Sequence, residues 1–246
     1  MLLFVDTETT GLPDFKKSFK EPCQPHIASI GFVGYDEVTH QETVSAHVLI
    51  RPDGWIHDPE SKATKTHLIT TEMAQEFGIP IRVAINFLEH HWWKARRVIM
   101  FNARFDSALI EIERARLGRK EYMDQTKLRC AMIEMAGIMK LPSKVSWSSD
   151  YAYPKLEAAY EWCYQQKMAD AHNALADARA TAFITFALHG WKMGSRLYEE
   201  GDTSRKPVEH PSGVISPQAR FLIGENKMAP DACATASDAE DDDLPM

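Results

Sequence analysis

The segment FVDTETTGLPD, residues 4–14, is the most informative part of this sequence for both its fold and its chemistry. It begins as a short apolar run typical of a buried strand, and it ends with Asp6 and Glu8, two acids separated by one residue. Successive side chains of a β-strand point to opposite faces, so both carboxylates are expected to project from the same face. Because like charges repel at short range, the pattern indicates that a cation lies between them.

Length and composition are those of one main globular domain, since the chain has 246 residues of which 44% are apolar. The apolar N-terminal run is interrupted at Asp6, well short of a signal-peptide core, and no stretch reaches the roughly 20 apolar residues of a membrane span. The four scattered cysteines form no C-x-x-C pair and suggest neither a disulfide framework nor a zinc site. These features predict a cytoplasmic protein without membrane contact.

The net charge of −7 is concentrated towards the C-terminus. From Met193 onward there are five basic and eleven acidic residues, so residues 1–192 carry a balance of only −1. A nearly neutral body can still present local basic patches to phosphates. Two clusters are candidates for such patches, with solvated helix faces as the alternative: Lys94, Arg96 and Arg97, and Arg114, Arg116, Arg119 and Lys120.

The β-like runs come mainly at the start of the chain, at residues 2–6, 27–34 and 43–50. No helical periodicity separates the second run from the third, which predicts an antiparallel hairpin. The segment RRVIMFN, residues 96–102, is predicted to be a fourth strand, and Tyr122–Met123 a short fifth one.

Helical patterns alternate with the later strands. A short capped helix is predicted over TTEMAQEF, residues 70–77, and longer helices over residues 80–94, 103–117, 126–135, 154–166 and 171–191. This order predicts an α/β fold with a mixed five-stranded sheet, its first three strands antiparallel, flanked by helices. The domain is expected to span residues 1–192, followed by a largely disordered acidic tail at residues 193–246.

Two more acids are expected to converge on the first pair. Asp106 in FNARFDSALI shares a helical stripe with Leu109 and Ile110, so it should face the sheet. Asp177 in AHNALADARATAF is surrounded by small residues that allow its helix to approach the sheet closely. Carboxylate oxygens are the ligands that Mg²⁺ prefers. For each acid taken alone, capping a turn or complementing a helix dipole is the competing explanation.

His172 lies five residues before Asp177. Five residues of helix turn through roughly 500°, so the two side chains would not share a helical face. With Asn173 as the N-cap, His172 instead falls in the loop before the helix, where it is free to lean over the acids. An imidazole there is suited to accept a proton near neutral pH. The alternative is that His172 is one of ten ordinary histidines.

Taken together, these motifs resemble the DEDD superfamily of 3′-to-5′ exonucleases, in particular its histidine-containing branch, DEDDh. That branch includes proofreading subunits of bacterial replicative DNA polymerases, oligoribonuclease, ribonuclease T and related phage nucleases. The resemblance covers residues 1–190 and is carried by VDTETTGL, FNARFD and HNALAD. The histidine branch places its base five residues before the last acid, as here, whereas the tyrosine branch has a Tyr four residues before it.

The resemblance implies an RNase H-like fold and hydrolysis of phosphodiester bonds from the 3′ end of single-stranded nucleic acid, with release of nucleoside 5′-monophosphates. It implies that His172 deprotonates the attacking water. Two Mg²⁺ ions, which Mn²⁺ can replace, would be held by Asp6, Glu8, Asp106 and Asp177. The terminal nucleotide would be held by Thr9, Thr10, Gly11, Leu12, Asn102 and Phe105, with a simple core position as the alternative for Phe105.

DNA is the expected substrate, in proofreading, repair or phage replication. The alternatives are a 3′-to-5′ exoribonuclease and a non-catalytic module of the same fold that binds a polymerase or nucleic acid. The last residues, ASDAEDDDLPM, resemble the C-terminal tip of bacterial single-stranded-DNA-binding proteins. This resemblance predicts that the tail binds a polymerase or another replication protein, and a merely solubilising tail is the alternative.

Overall fold

A computed structural model describes residues 1–39, 41–143, 151–168 and 171–188. The predicted acidic tail lies outside the described residues. Five strands form one sheet: β1 (Leu2–Thr9), β2 (Ile27–Tyr35), β3 (Glu42–Leu49), β4 (Arg97–Met100) and β5 (Leu128–Cys130). Their order in the sheet is β3-β2-β1-β4-β5.

The sheet is mixed, as the sequence predicts. Strand β1 is antiparallel to β2, and β2 is antiparallel to β3, whereas β1–β4 and β4–β5 are parallel pairs. Every residue of β2 is buried, which requires cover on both faces of the sheet. The first four residues of β1 are buried as well, so this central strand ends its apolar run inside the core before its acids begin.

Helices provide that cover. They are α1 (Lys62–His67), α2 (Thr71–Phe77), α3 (Ile81–Lys94), α4 (Ala103–Arg116), α5 (Ala131–Met139), α6 (Leu156–Tyr164) and α7 (Ala174–Leu188). Helix α7 packs on β1 and β2, and α4 packs on β1 and β5. The predicted capping of α2 is confirmed, because the Thr70 side chain accepts a hydrogen bond from the Met73 N–H. Among the described residues, no helix is both long and apolar enough to cross a membrane.

The fifth strand is not where the sequence predicts it. Tyr122 is exposed, and the strand is instead Leu128–Cys130, which pairs with β4 through Val98 opposite Leu128. The helix predicted at residues 126–135 begins later in the structure, because α5 starts at Ala131. Helix α1 was not predicted. Residues 126–135 consist largely of good helix formers, so pairing with β4 overrides their intrinsic preference.

Gly31 brings the last helix onto the sheet. It lies opposite Asp6 in the β1–β2 pairing. A Cβ atom at this position would lie 2.1 Å from the carbonyl carbon of Ala174, the first residue of α7. The start of α7 therefore reaches β2 only because residue 31 has no side chain, and that contact sets where Asp177 lies relative to β1.

Gly31→Ala is expected to destabilise the folded protein by about 3 kcal/mol, because the added methyl group meets the α7 backbone and forces it outward. Chemical denaturation measures this change. Gly137→Ala is the matched control, since Gly137 is exposed within α5 and a Cβ there meets nothing within 4 Å. It should stabilise the protein slightly. Equal effects of the two substitutions would contradict the assigned role of Gly31.

Candidate functional site

Three acids converge at the end of β1. Asp6 and Glu8 lie two residues apart on β1, and Asp177 lies in the first turn of α7. One carboxylate oxygen from each lies within 4.8 Å of the other two. We call Asp6, Glu8 and Asp177 the acidic cluster. The expected convergence is thus observed for these three side chains.

Asp106 is connected to β1 by hydrogen bonds from Thr7. It lies in the first turn of α4 with 3% of its surface exposed. Its Oδ1 accepts hydrogen bonds from the Thr7 N–H at 3.1 Å and from the Thr7 hydroxyl at 2.7 Å. These bonds are possible because β4 pairs with β1 only at residues 2–4, which leaves this end of the β1 edge open. Asp106 therefore lies beside the acidic cluster without belonging to it.

Burial and mutual repulsion make these acids hard to ionise. Burial, followed by the charges of Asp106, Asp177 and Glu8, raises the pKa of Asp6 well above its usual range. Burial, followed by the charges of Asp177 and Asp106, raises the pKa of Glu8 to about 8. Burial raises the pKa of Asp106 and that of Asp177 to about 7. Four carboxyl groups are thus held close together at a cost in free energy, which is typical of functional sites.

A divalent cation fits the acidic cluster. The Oδ1 atom of Asp177 is buried and has no hydrogen-bond partner. A buried carboxylate oxygen without a partner is costly, and a bound cation would remove that cost. All three ligand atoms are carboxylate oxygens, which suit Mg²⁺ and also Mn²⁺.

His172 lies in the loop before α7, as predicted. Asn173 caps the helix, because its Oδ1 accepts hydrogen bonds from the N–H groups of Leu175 and Ala176, both at 3.2 Å. The backbone of His172 is left-handed, with φ 67°. Its Nε2 lies 3.8 Å from Oε1 of Glu157 on α6, and both side chains are partly exposed. The role of His172 as a base stays a prediction.

The loop after β1 is fixed by hydrogen bonds to His26. The Thr9 hydroxyl donates to the His26 carbonyl at 3.0 Å, and the Thr10 N–H donates to the same oxygen at 2.9 Å. Gly11 has only an ordinary contact to Pro25, so the space in front of its backbone is open. Leu12 exposes 56% of its surface. Thr9 and Thr10 therefore shape the loop, and Leu12 is the side chain it presents outward.

Two candidate residues lie at the start of α4. The side chain of Asn102 makes no capping hydrogen bond to the helix and lines an open cleft. Phe105 is half-buried and packs against the core, in line with the core alternative considered from the sequence. Their contacts with a nucleotide stay predictions.

Two side chains beside His172 were not singled out from the sequence. Glu157 has no motif around it, and only the packing of α6 brings it near His172. His67 at the end of α1 lines the same cavity as His172, a space of about 590 Å³. Its Nδ1 accepts a hydrogen bond from the Ile69 N–H at 3.0 Å, and a hydrogen bond with the backbone of Thr9 connects its ring to β1.

The two arginines of the second basic cluster that lie on α4 have a structural role. Arg114 is buried and pairs with Glu111 at 3.2 Å and with Glu89. Arg116 pairs with Glu113 at 2.8 Å and also donates to the carbonyl of Pro25 at 2.8 Å. These two guanidinium groups hold the helix to its neighbours and are not a surface for phosphates.

The raised acid pKa values predict that the metal-free protein loses stability as the pH rises. Asp106 and Asp177 titrate near pH 4 when unfolded and near pH 7 when folded, so the folded state binds more protons between these values. The buried His57, whose pKa burial lowers from 6.5 to about 4, has the opposite effect below pH 6.5. In EDTA, the melting temperature should therefore fall by roughly 5 °C between pH 6.5 and 8.

Saturating Mg²⁺ should reverse most of this fall, because it binds the ionised acids of the folded state. Asp106→Asn keeps the acceptor for Thr7 and removes one titrating group, so it should reduce the slope of melting temperature against pH in EDTA. Thermal unfolding followed by circular dichroism measures both effects. A melting temperature that rises with pH in EDTA would contradict the assigned pKa shifts.

Comparison with known proteins gives a family and a fold. The model of a family described as "RNase_T: Exonuclease" matches residues 3–185. No curated protein matches the sequence. E. coli exonuclease I in complex with a dT13 oligonucleotide is similar in structure, with a TM-score of 0.57 and 18% sequence identity over 75% of this chain and 40% of that chain.

A second similar structure is described as an ExoI/SSB-Ct complex, with a TM-score of 0.54 and 17% identity over 75% of this chain and 40% of that one. The chain thus spans about two-fifths of the length of these solved relatives. At this identity the likeness establishes the fold, and it confirms the RNase H-like α/β architecture expected from the sequence.

Proposed function

Because the chain belongs to the RNase_T exonuclease family, as its match over residues 3–185 shows, we propose that it is a metal-dependent nuclease that removes nucleotides from the 3′ end of single-stranded DNA. The observation that carries this proposal is the acidic cluster, in which Asp6, Glu8 and Asp177 bring their oxygens within 4.8 Å of one another. The family match covers all three motifs from which these acids come.

The acids would hold divalent ions and would not themselves react. Asp6, Glu8 and Asp177 would be the direct ligands, and Asp106, which Thr7 holds beside them, would be the fourth acid of the site. Bound Mg²⁺ supplies positive charge that lowers the pKa of water and offsets the charge on the phosphate. Ionisation of the four acids and release of their protons must accompany binding of the ions.

His172 accepts the proton of the attacking water. Its loop position lets the imidazole swing without disturbing α7, because Asn173 and not His172 caps the helix. Glu157 lies 3.8 Å from Nε2 and stabilises the imidazolium that forms when His172 accepts the proton. Positioned proton transfer of this kind contributes roughly a hundredfold to ten-thousandfold to a rate.

The loop after β1 receives the terminal nucleotide. Its backbone is rigid because Thr9 and Thr10 bond to His26, and the exposed Leu12 offers an apolar surface to a base. Such contacts distinguish no particular base, which suits an enzyme that removes whichever nucleotide is last.

DNA is favoured over RNA by one observation from the comparisons: the similar E. coli exonuclease I was solved with a dT13 oligonucleotide. With DNA as the substrate, the proposed role is proofreading, repair or phage replication. In the ExoI/SSB-Ct complex a similar exonuclease is the partner of the SSB C-terminus, which supports a replication protein of that kind as a partner of this chain. Binding of a polymerase or another replication protein through the tail at residues 193–246 stays a prediction from the sequence.

The test compares single-stranded DNA and RNA of the same sequence, each labelled at one end, with Mg²⁺ or with EDTA. With Mg²⁺, DNA labelled at the 5′ end should give a ladder of shortening products, and DNA labelled at the 3′ end should release labelled mononucleotide at once. Faster digestion of RNA would instead favour the exoribonuclease. Binding of either strand without digestion would favour the non-catalytic module.

A further inference from the structure

A cleft of about 410 Å³ opens on the side of α4 opposite to Asp106. Four residues of α4, at positions 104, 107, 108 and 111, line it with the spacing of a single helical stripe. The remaining wall comes from the segment after the first motif and from β5 and α5. We call this space the aromatic cleft and define it by Phe15, Phe19, Asn102, Arg104, Tyr122 and Tyr153.

Four aromatic side chains surround this one cleft. Tyr122 exposes 70% of its surface and Tyr153 exposes 47%, while Phe15 and Phe19 are partly exposed. Single exposed apolar residues are common on protein surfaces, but several around one concave site indicate a ligand. Flat, unpaired bases stack on aromatic rings irrespective of sequence.

Basic residues accompany the aromatic residues Phe15 and Phe19 of the cleft. Phe15 and Phe19 belong to the segment FKKSFK, residues 15–20, in which Lys16 and Lys20 are exposed. The Arg104 guanidinium lies over the Phe15 ring, 4.3 Å from its centre. Basic residues interleaved with aromatic ones suit a strand with phosphates outside and bases inside.

Among the described residues, Glu111 is the acid that lines the cleft, and it is paired inside the protein. Glu111 accepts a hydrogen bond from Nε of Arg114 at 3.2 Å and another from the Met123 N–H at 2.8 Å. Its charge is therefore compensated within the protein and does not oppose a phosphate in the cleft.

The aromatic cleft is built partly from the segment that directly follows the proposed site of the terminal nucleotide. Phe15 follows Leu12 by three residues, and Asn102 precedes the helix that carries Asp106. Because Arg104 in the first turn of α4 contacts the Phe15 ring, the segment that follows Leu12 lies against this helix and connects the loop after β1 to the cleft.

We propose that the aromatic cleft binds unpaired bases of the substrate strand on the 5′ side of the terminal nucleotide. This inference rests on the proposed function. It implies that the enzyme prefers single strands several nucleotides long, because paired bases cannot enter the cleft and very short strands do not reach it.

The test uses one double variant from each wall, Phe15→Ala with Phe19→Ala and Tyr122→Ala with Tyr153→Ala. Two substrates are compared, a single-stranded oligonucleotide and the p-nitrophenyl ester of thymidine 5′-monophosphate, which has one nucleotide and cannot fill the cleft. Each double variant should raise KM for the oligonucleotide on the order of tenfold or more and leave cleavage of the ester unchanged. Phe77→Ala, at an exposed residue of α2, is the matched control and should change neither.

Affinity for the labelled oligonucleotide in EDTA, measured by fluorescence anisotropy, separates the cleft from the chemistry. If the wild-type protein cleaves both substrates and neither double variant changes KM or affinity for the oligonucleotide, the inference is wrong while the proposed function stands. If the wild-type protein cleaves neither substrate but both double variants weaken oligonucleotide binding, the cleft is supported and the proposed function is wrong. Loss of ester cleavage in both double variants would overturn the inference.

Discussion

Asp6→Asn should abolish metal-dependent nuclease activity and, at the same time, raise the melting temperature of the metal-free protein. Asp6 is surrounded by Glu8, Asp106 and Asp177, whose charges, after burial, raise its pKa. An Asn of the same shape removes one titrating carboxyl group, so the folded state no longer bears the cost of ionising Asp6 or of keeping it protonated among these acids. The same change removes a proposed metal ligand, and activity should fall on the order of a thousandfold or more.

The measurements are nuclease activity with saturating Mg²⁺ and thermal unfolding in EDTA at pH 8. The variant should unfold roughly 5 °C above the wild type in EDTA, with little further gain from Mg²⁺. Asp53→Asn, at an exposed acid away from the cluster, is the matched control and should leave both quantities unchanged. Retained activity would show that Asp6 is not a ligand, and a lower melting temperature in EDTA would show that the cluster is not a source of repulsion.

Replacing His172 should lower kcat by roughly a hundredfold to ten-thousandfold while leaving metal binding intact, because the role proposed for the imidazole is to accept a proton and not to hold an ion. The choice of substitution matters here. His172 has φ 67°, a left-handed conformation that Asn tolerates better than Ala does. His172→Asn and His172→Ala should therefore lose the same rate, and only His172→Ala should also lose stability.

Single-turnover kinetics, Mn²⁺ titration and thermal unfolding separate these effects. Added imidazole should restore part of the rate in His172→Ala, which a purely structural role would not allow. His90→Ala, at an exposed histidine of α3, is the control. If His172→Asn keeps the full rate, the contribution of residue 172 lies in its backbone conformation and the assignment of the base is wrong.

The sequence predicts the fold well where the periodicity is strong. Strands β1 to β3 and helices α4 and α7 have clear alternating or helical patterns, and the structure has them within a few residues of the predicted bounds. Strand β5 has only three residues, Leu128–Cys130, and its identity as a strand depends on pairing with β4. Local sequence does not encode such a long-range partner, so the strand was predicted at Tyr122–Met123 instead.

The candidate site, too, was predictable from the sequence only in part. The spacing of Asp6 and Glu8 and the small residues around Asp177 predict the convergence that the structure has. The Thr7 bonds to Asp106 and the approach of Glu157 to His172 depend on where α4 and α6 are placed, and no local pattern specifies them. The aromatic cleft likewise combines segments more than 100 residues apart in the chain, since Phe15 and Tyr153 share it.

The contact between Gly31 and the start of α7 has a consequence for the time at which activity arises during synthesis. Asp6 leaves the ribosome early, whereas Asp177 follows about 170 residues later. Only then can the start of α7 pack against Gly31. Until that moment a nascent chain has the strand but lacks the third acid. We therefore expect ribosome-bound fragments that end before α7 to be inert, so that the protein cannot degrade nucleic acid before its own translation has passed this helix.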